Sequence, residues 1–182
     1  VLARWLVEAG APEGVAAVHR IDLETSGVVL FGETQSVRGA ISAFFVRGEV
    51  EKRYCAVVFG RTRAKGTIRR PLDDERRGRP LEAVTRYRLR EALGGFSYVS
   101  LRPEHGRKHQ LRRHMHGMGH AIVGDTRYPG PLQVRIPAFP ARLWLHAERL
   151  TLPDGRTWVA PLPTALQLNL DALRAGAAEP VG

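Results

Sequence analysis

The sequence predicts a single mixed α+β domain, and three observations carry that expectation. Apolar residues have helical spacing in four segments, but a period of two in the segments between Lys52 and Arg102. Two turn signals, Gly94-Gly95 and Asp154-Gly155, sit between such runs and mark hairpins. The length of 182 residues suits one compact domain with a real core and is short for two.

The elements follow in order. Val1, Leu2, Trp5, Leu6 and Ala9 are spaced for a helix over residues 1–11, with Gly10 as its stop. The chain opens inside that pattern and without Met, so a natural segment is expected to precede it. Residues 17–27 are turn-rich, with charged and polar groups at the centre, and Val28-Val29-Leu30-Phe31 reads as a short buried strand. Thr34 or Ser36 can cap a helix on which Val37, Ala40, Ile41 and Phe44 recur at i, i+3, i+4 and i+7, and Gly48 ends it. Residues 52–59, 81–91 and 96–102 read as strands, the last two joined through Gly94-Gly95. Residues 73–80, rich in charge and breakers, read as a solvated loop. A helix fits residues 108–118, with Leu111, Met115 and Met118 on its apolar face. A hairpin at Asp154-Gly155 and a helix carrying Leu166, Leu170 and Leu173 close the chain, which shows no repeats and no linker.

Composition narrows the function. Hydrophobic residues at 43% and charged residues at 25% are ordinary for a soluble globular protein. No apolar run approaches the roughly 20 residues of a membrane span, and no secretory signal opens the chain, so no membrane partner is expected. One cysteine, Cys55, permits no internal disulfide and fits a reducing, cytoplasmic setting. Lys and Arg together number 28 against 18 acids, giving a net charge of +10. Such an excess raises affinity for any polyanion, and nucleic acid is the default partner.

Three clusters can carry chemistry: His19-Arg20-Ile21-Asp22 with Thr25-Ser26-Gly27, Lys52-Arg53-Tyr54, and Gly106-Arg107-Lys108-His109-Gln110-Leu111-Arg112-Arg113-His114. Each also has an ordinary reading. Asp22 can belong to a plain Asx-turn, Tyr54 can be a packing residue at a sheet rim, and the basic run can be an exposed helix face. His105 with His109, and His116 with His120, stand four apart as zinc ligands do. The Glu of a zinc-protease motif is missing, and the interleaved Arg and Lys suit a phosphate rather than a cation, so no metal is expected.

Together the clusters resemble the RluA-type pseudouridine synthases. His19-Arg20-Ile21-Asp22-Leu23-Glu24-Thr25-Ser26-Gly27 resembles that family's catalytic loop, and Lys52-Arg53-Tyr54-Cys55-Ala56 its second motif. The run from Gly106 to His114, continued by Gly119-His120-Ala121-Ile122-Val123-Gly124-Asp125, resembles the third, and Leu145-His146-Ala147 a later signature. The likeness spans residues 18–152 and is nearest the TruC-like branch, which modifies tRNA. It implies a pseudouridine synthase fold over residues 1–182: a mixed, mostly antiparallel sheet flanked by helices and loops around a central RNA-binding cleft. It also implies that the family's opening strand lies before Val1. Leu23 stands where the family often has a basic residue, so one phosphate contact is expected to be missing.

The resemblance assigns roles as well. Asp22 would act on the sugar of the target nucleotide, so that uracil leaves, turns and rejoins through C5. Tyr54 would stack under the uracil and help remove the C5 proton, and Arg112 would pair with Asp22. Arg20 would enter the space left by the flipped base, with Arg107, Lys108, His109 and Arg113 contacting RNA. The physics agrees: an atom inside a stacked helix is unreachable unless the nucleotide is extruded, and a guanidinium beside a nucleophilic carboxylate favours its ionised form. No redox or group-transfer step occurs, so no cofactor is expected. The expected partner is RNA, tRNA before large-subunit ribosomal RNA, acted on by a monomer. Two rivals remain: an RNA-binding module without catalysis, which would lose nothing on substitution of Asp22, and a metal-dependent phosphodiesterase, which would cleave RNA in an EDTA-sensitive way.

Overall fold

The computed structural model describes residues 14–75, 77–131 and 136–176. The helix expected over residues 1–11 lies outside them. Among the described residues the centre of the molecule is a seven-stranded sheet, and the α+β expectation holds. Six strands run in the order β11 (Thr157–Val159), β10 (Leu145–Thr151), β4 (Glu51–Phe59), β9 (Phe96–Pro103), β8 (Val84–Leu93) and β5 (Lys65–Arg69). These neighbours are antiparallel; the seventh strand, β2 (Ser26–Gly27), pairs parallel with β10. β1 (Ala16–Ala17) and β3 (Phe31–Gly32) form a separate antiparallel pair at the base of the loop that carries Asp22.

Local sequence explains most of these elements. Cys55 to Phe59 on β4 are buried between two neighbouring strands, hence the continuous apolar run. β8 and β9 form the expected hairpin through Gly94-Gly95. Helix α1 (Gln35–Arg47) starts where Thr34 Oγ1 accepts the Val37 N–H at 3.2 Å. It ends at Gly48, whose left-handed backbone, φ 73°, returns its N–H to the last carbonyls. Ile41 is buried against Leu30, Val50, Leu150 and Leu152, whereas Val37 and Ala40 of the expected stripe stay exposed. Helix α3 (Thr164–Gly176) buries Leu166, Leu170 and Leu173 in the main core with Trp144, whose indole N–H donates to Asn169 at 2.7 Å. None of the described helices is long and apolar enough to cross a membrane.

Four expectations are corrected. The strand expected over Val28-Val29-Leu30-Phe31 shrinks to β3, because the Val28 N–H bonds to the Ala147 carbonyl and so ties that stretch to β10. The charged loop at 73–80 is a small hairpin, β6 (Leu72–Asp74) with β7 (Arg79–Leu81), closed by the Asp74 carbonyl accepting the Arg77 and Gly78 N–H groups. The helix expected from residue 108 is α2 (Gln110–Gly117), because His109 is left-handed, φ 52°, and cannot be its first turn. Its end at Gly117 leaves Met118 as the cap and His120 off the helix, so neither histidine pair shares a helical face.

Candidate active site

Asp22 sits on the loop between β1 and β2, and that loop is fastened from several sides. Its carbonyl accepts the Thr25 N–H at 2.9 Å, and the Val18 N–H reaches the Leu30 carbonyl at 3.0 Å. His19 stacks on Phe45, centroids 4.6 Å apart, and its Nε2 accepts the Leu30 N–H at 3.0 Å. Burial pushes the His19 imidazole down to about 4, the nearby Lys52 charge adding to it and a hydrogen bond with the Arg20 backbone opposing it. A neutral ring suits that acceptor role. On the other side of the loop Ser26 Oγ lies 2.8 Å from Nδ1 of His146, and Arg142 donates to the Glu24 carbonyl at 3.1 Å. Gly27 has φ 122°, and a Cβ there would stand 2.2 Å from the Ala147 carbonyl oxygen, so β2 can approach β10 only with glycine at this position.

Tyr54 lies half-buried on β4. Burial first, and the charge of Asp22 second, push its phenol up to about 12, so the ring is neutral near pH 7. The charge of Asp22 also acts on Arg112 and His109, both from the third motif. The structure thus brings Asp22, Tyr54, His109 and Arg112 into one electrostatic neighbourhood, although the chain separates them widely.

Arg112 departs from expectation. Among the described residues it makes no ion pair with Asp22 within 4.0 Å. Its direct partner is Asp125, which receives Nε and Nη2 at 2.7 Å each, while Glu24 stands at 3.9 Å. Asp125 also accepts the Arg127 and Tyr128 N–H groups at 3.0 and 2.8 Å, and its side chain is 0% exposed. The physical reason is burial: a guanidinium on the inner face of α2 needs a carboxylate placed equally deep. The hydrogen bonds with Asp125, more than any other influence, raise the Arg112 pKa, and the charges of Asp22 and Glu24 add to this. Tyr128 completes the group, with the Arg112 guanidinium 5.4 Å from its ring centre and its hydroxyl 3.2 Å from His109 Nδ1.

The remaining residues expected to contact RNA are held as follows. Arg20 is exposed on the Asp22 loop and forms no ion pair with the described residues. Arg107 donates to the Glu82 carbonyl at 2.9 Å, Lys108 stands 3.7 Å from Glu75, and Arg113 donates to the Asp73 carbonyl at 3.0 Å. The last two tie α2 and its approach to the small hairpin. Gln110 holds that approach from beneath: its side chain donates to Val84 and Thr85 and accepts the Arg107 N–H.

Sequence reasoning gave no role to Asp125, Tyr128, His19 or Gln110. The signal for Asp125 was a Gly-Asp turn just after the apolar run Ala121-Ile122-Val123, close in sequence to an arginine-rich helix.

Comparison with known proteins places this geometry in a family. Residues 5–117 match the family model of the RNA pseudouridylate synthases. The chain is 37% identical over 163 residues to the tRNA pseudouridine synthase C of Pasteurella multocida, covering 75% of this chain and 66% of that protein. It is 35% identical over 179 residues to the ribosomal large subunit pseudouridine synthase D of Xanthomonas campestris pv. campestris, covering 86% of this chain but only 54% of the relative. The chain therefore spans about half to two thirds of the length of these relatives. The structure of human RNA pseudouridylate synthase domain containing 1 superposes with a TM-score of 0.76 at 26% identity, over 96% of this chain and 85% of that one, so the fold is the pseudouridine synthase fold. With motifs, fold and family model in agreement, the chain belongs to the RluA-type RNA pseudouridine synthase family.

Proposed function

We propose that this protein isomerises a specific uridine in structured RNA to pseudouridine, with Asp22 as the nucleophilic carboxylate, and that its substrate is tRNA. The observation that carries the reading is the convergence of Asp22, Tyr54 and Arg112 from three separate motifs, with the charge of Asp22 acting on both partners. The target nucleotide leaves its stack at a cost of a few kcal/mol, which Arg20 offsets in part by filling the gap and contacting phosphate. Asp22 acts on the sugar, the glycosidic bond breaks, and uracil turns to rejoin through C5. Tyr54 supplies a flat ring under the base. Because its phenol is neutral, it can assist loss of the C5 proton only by passing a proton onward as it receives one. Arg112, fixed by Asp125, supports the ionised Asp22 through its charge rather than through a direct bond. Arg107, Lys108, His109 and Arg113 line the approach for RNA. The reaction is an isomerisation and uses no cofactor, and we propose that the protein works as a cytoplasmic monomer.

The tRNA assignment draws support from the run Lys108-His109-Gln110-Leu111-Arg112-Arg113-His114. Relatives named for tRNA and for large-subunit ribosomal RNA stand at similar identity, 37% and 35%. Incubating the protein with each RNA and quantifying pseudouridine in nucleoside digests tests the proposal. Pseudouridine in tRNA alone is expected. Its appearance only in ribosomal RNA overturns the substrate, and its absence from both RNAs overturns the activity.

A further inference from the structure

A second basic surface lies away from the Asp22 centre. A groove of about 750 Å³ runs along β5 and the C-terminal end of α2, and Arg61, Arg63, Lys65, Arg69, Arg70 and His120 contribute to its walls. No acidic side chain of the described residues lines it. Among the described residues none of its five Arg and Lys side chains has a carboxylate within 4.0 Å, and all five residues are exposed. By contrast Arg47, Arg156 and Arg174 each sit in an ion pair with a carboxylate at 2.7–2.9 Å.

Charge on β5 alone has an ordinary explanation. Among the described residues it is a sheet edge, and edge cations discourage pairing with other chains. That explanation covers Lys65 and Arg69, which share the outward face of the strand. It does not cover Arg61 and Arg63, which precede the strand, or Arg70, which follows it and lies against Gly117 at the end of α2. A concave surface with one sign of charge and no internal neutralisation focuses field on a polyanion. The groove shares no residue with the Asp22, Tyr54, His109, Arg112 and Tyr128 group, yet α2 is only about 12 Å long by its eight residues, so one RNA can reach both ends.

We propose that this groove is a second RNA-backbone site, holding phosphates of the substrate outside the nucleotide that enters the Asp22 centre. The inference rests on the RNA reading above and adds the place where the rest of the substrate docks. Its contribution is to affinity and register, not to the bond-making step.

The test compares two charge-matched triple variants for binding to labelled tRNA across a salt series. One is Arg61→Gln, Arg63→Gln and Lys65→Gln; the other is Arg47→Gln, Arg156→Gln and Arg174→Gln. Thermal melts check that both remain folded, as exposed positions on an intact core should allow. The groove variant is expected to bind at least tenfold more weakly at about 100 mM salt, and its log–log salt slope should fall by about 2–3, near one unit per lost phosphate contact. The control should change little in either quantity. Equal losses in the two variants would reduce the groove to bulk charge and overturn the proposal, as would unchanged binding in both. Pseudouridine formation by the wild-type chain separates this outcome from failure of the isomerase reading. A chain that isomerises RNA while the groove variant binds like the control loses only the groove. A chain that forms no pseudouridine but needs the groove to bind keeps it.

Discussion

A charge as deep as that of Asp125 is tolerable only because four donors surround it, two from Arg112 and two from the backbone. Asp125→Asn keeps the shape but removes the bidentate carboxylate of the buried Arg112 guanidinium, leaving Glu24 at 3.9 Å as its nearest counter-charge. We expect a loss of about 3–5 kcal/mol in unfolding free energy by urea titration. A loss below 1 kcal/mol would mean that Arg112 re-pairs, with Asp22 or Glu24 within reach of its charge. Tyr54→Phe is the second test at this scale. The ring stays, so RNA affinity should hold, while turnover should fall roughly ten- to a hundredfold if the hydroxyl relays a proton. Equal single-turnover rates in the two proteins would leave the hydroxyl without that role. Asp22, Tyr54 and Arg112 were nameable from the order of three motifs. The partner of Arg112 was not, because which carboxylate meets a buried guanidinium depends on how α2 packs and on the turn at Asp125, and spacing reports neither.

The loop that carries Asp22 behaves as an element in its own right, closed by His19 at one end and by β2 on β10 at the other. His19 titrates low in the folded chain, so folding favours its neutral form. Stability from this group is present above its ordinary value of 6.5 and is lost as pH falls from there through about 4. Burial lowers His114 and His146 in the same direction. Urea unfolding at pH 7.5 and pH 4.5 should therefore show an acid loss, smaller by about 2 kcal/mol in His19→Gln than in the wild type. An identical pH dependence in the two proteins would detach His19 from the loop. β8 and β9 were legible because their period of two is sustained, and two of the three described hairpins because of their turn residues, Gly94-Gly95 and Asp154-Gly155; β4 is a strand although its second half is continuously apolar. β5 was missed because Ile68 is the only one of its residues that is buried, and β6 and β7 because three residues each are too few to show a period. The start of α2 was misplaced because the left-handed turn at His109 is held by the side chain of Gln110, a tertiary bond.

Across the whole molecule, the sheet assembles a site from segments that the chain keeps far apart. The parallel pairing of Ser26 with His146 closes 120 residues and sets the Asp22 loop beside β10, which in turn pairs with β4, the strand of Tyr54. No local pattern announces such a pairing, because two-residue strands carry no signal of their own; only the resemblance of the motifs implied that they meet. The basic surface has the same character: the charge was countable in the sequence, but the groove along β5 and α2 exists only once the sheet edge and the helix end are adjacent. The role proposed for Asp22 is to perform the chemistry within this frame. It is tested most directly by release of tritium from RNA labelled at C5 of uridine, comparing the wild-type chain with Asp22→Asn. Release is expected from the wild type and none from the variant, with RNA affinity retained within a few fold. Release at the wild-type rate by Asp22→Asn would contradict it.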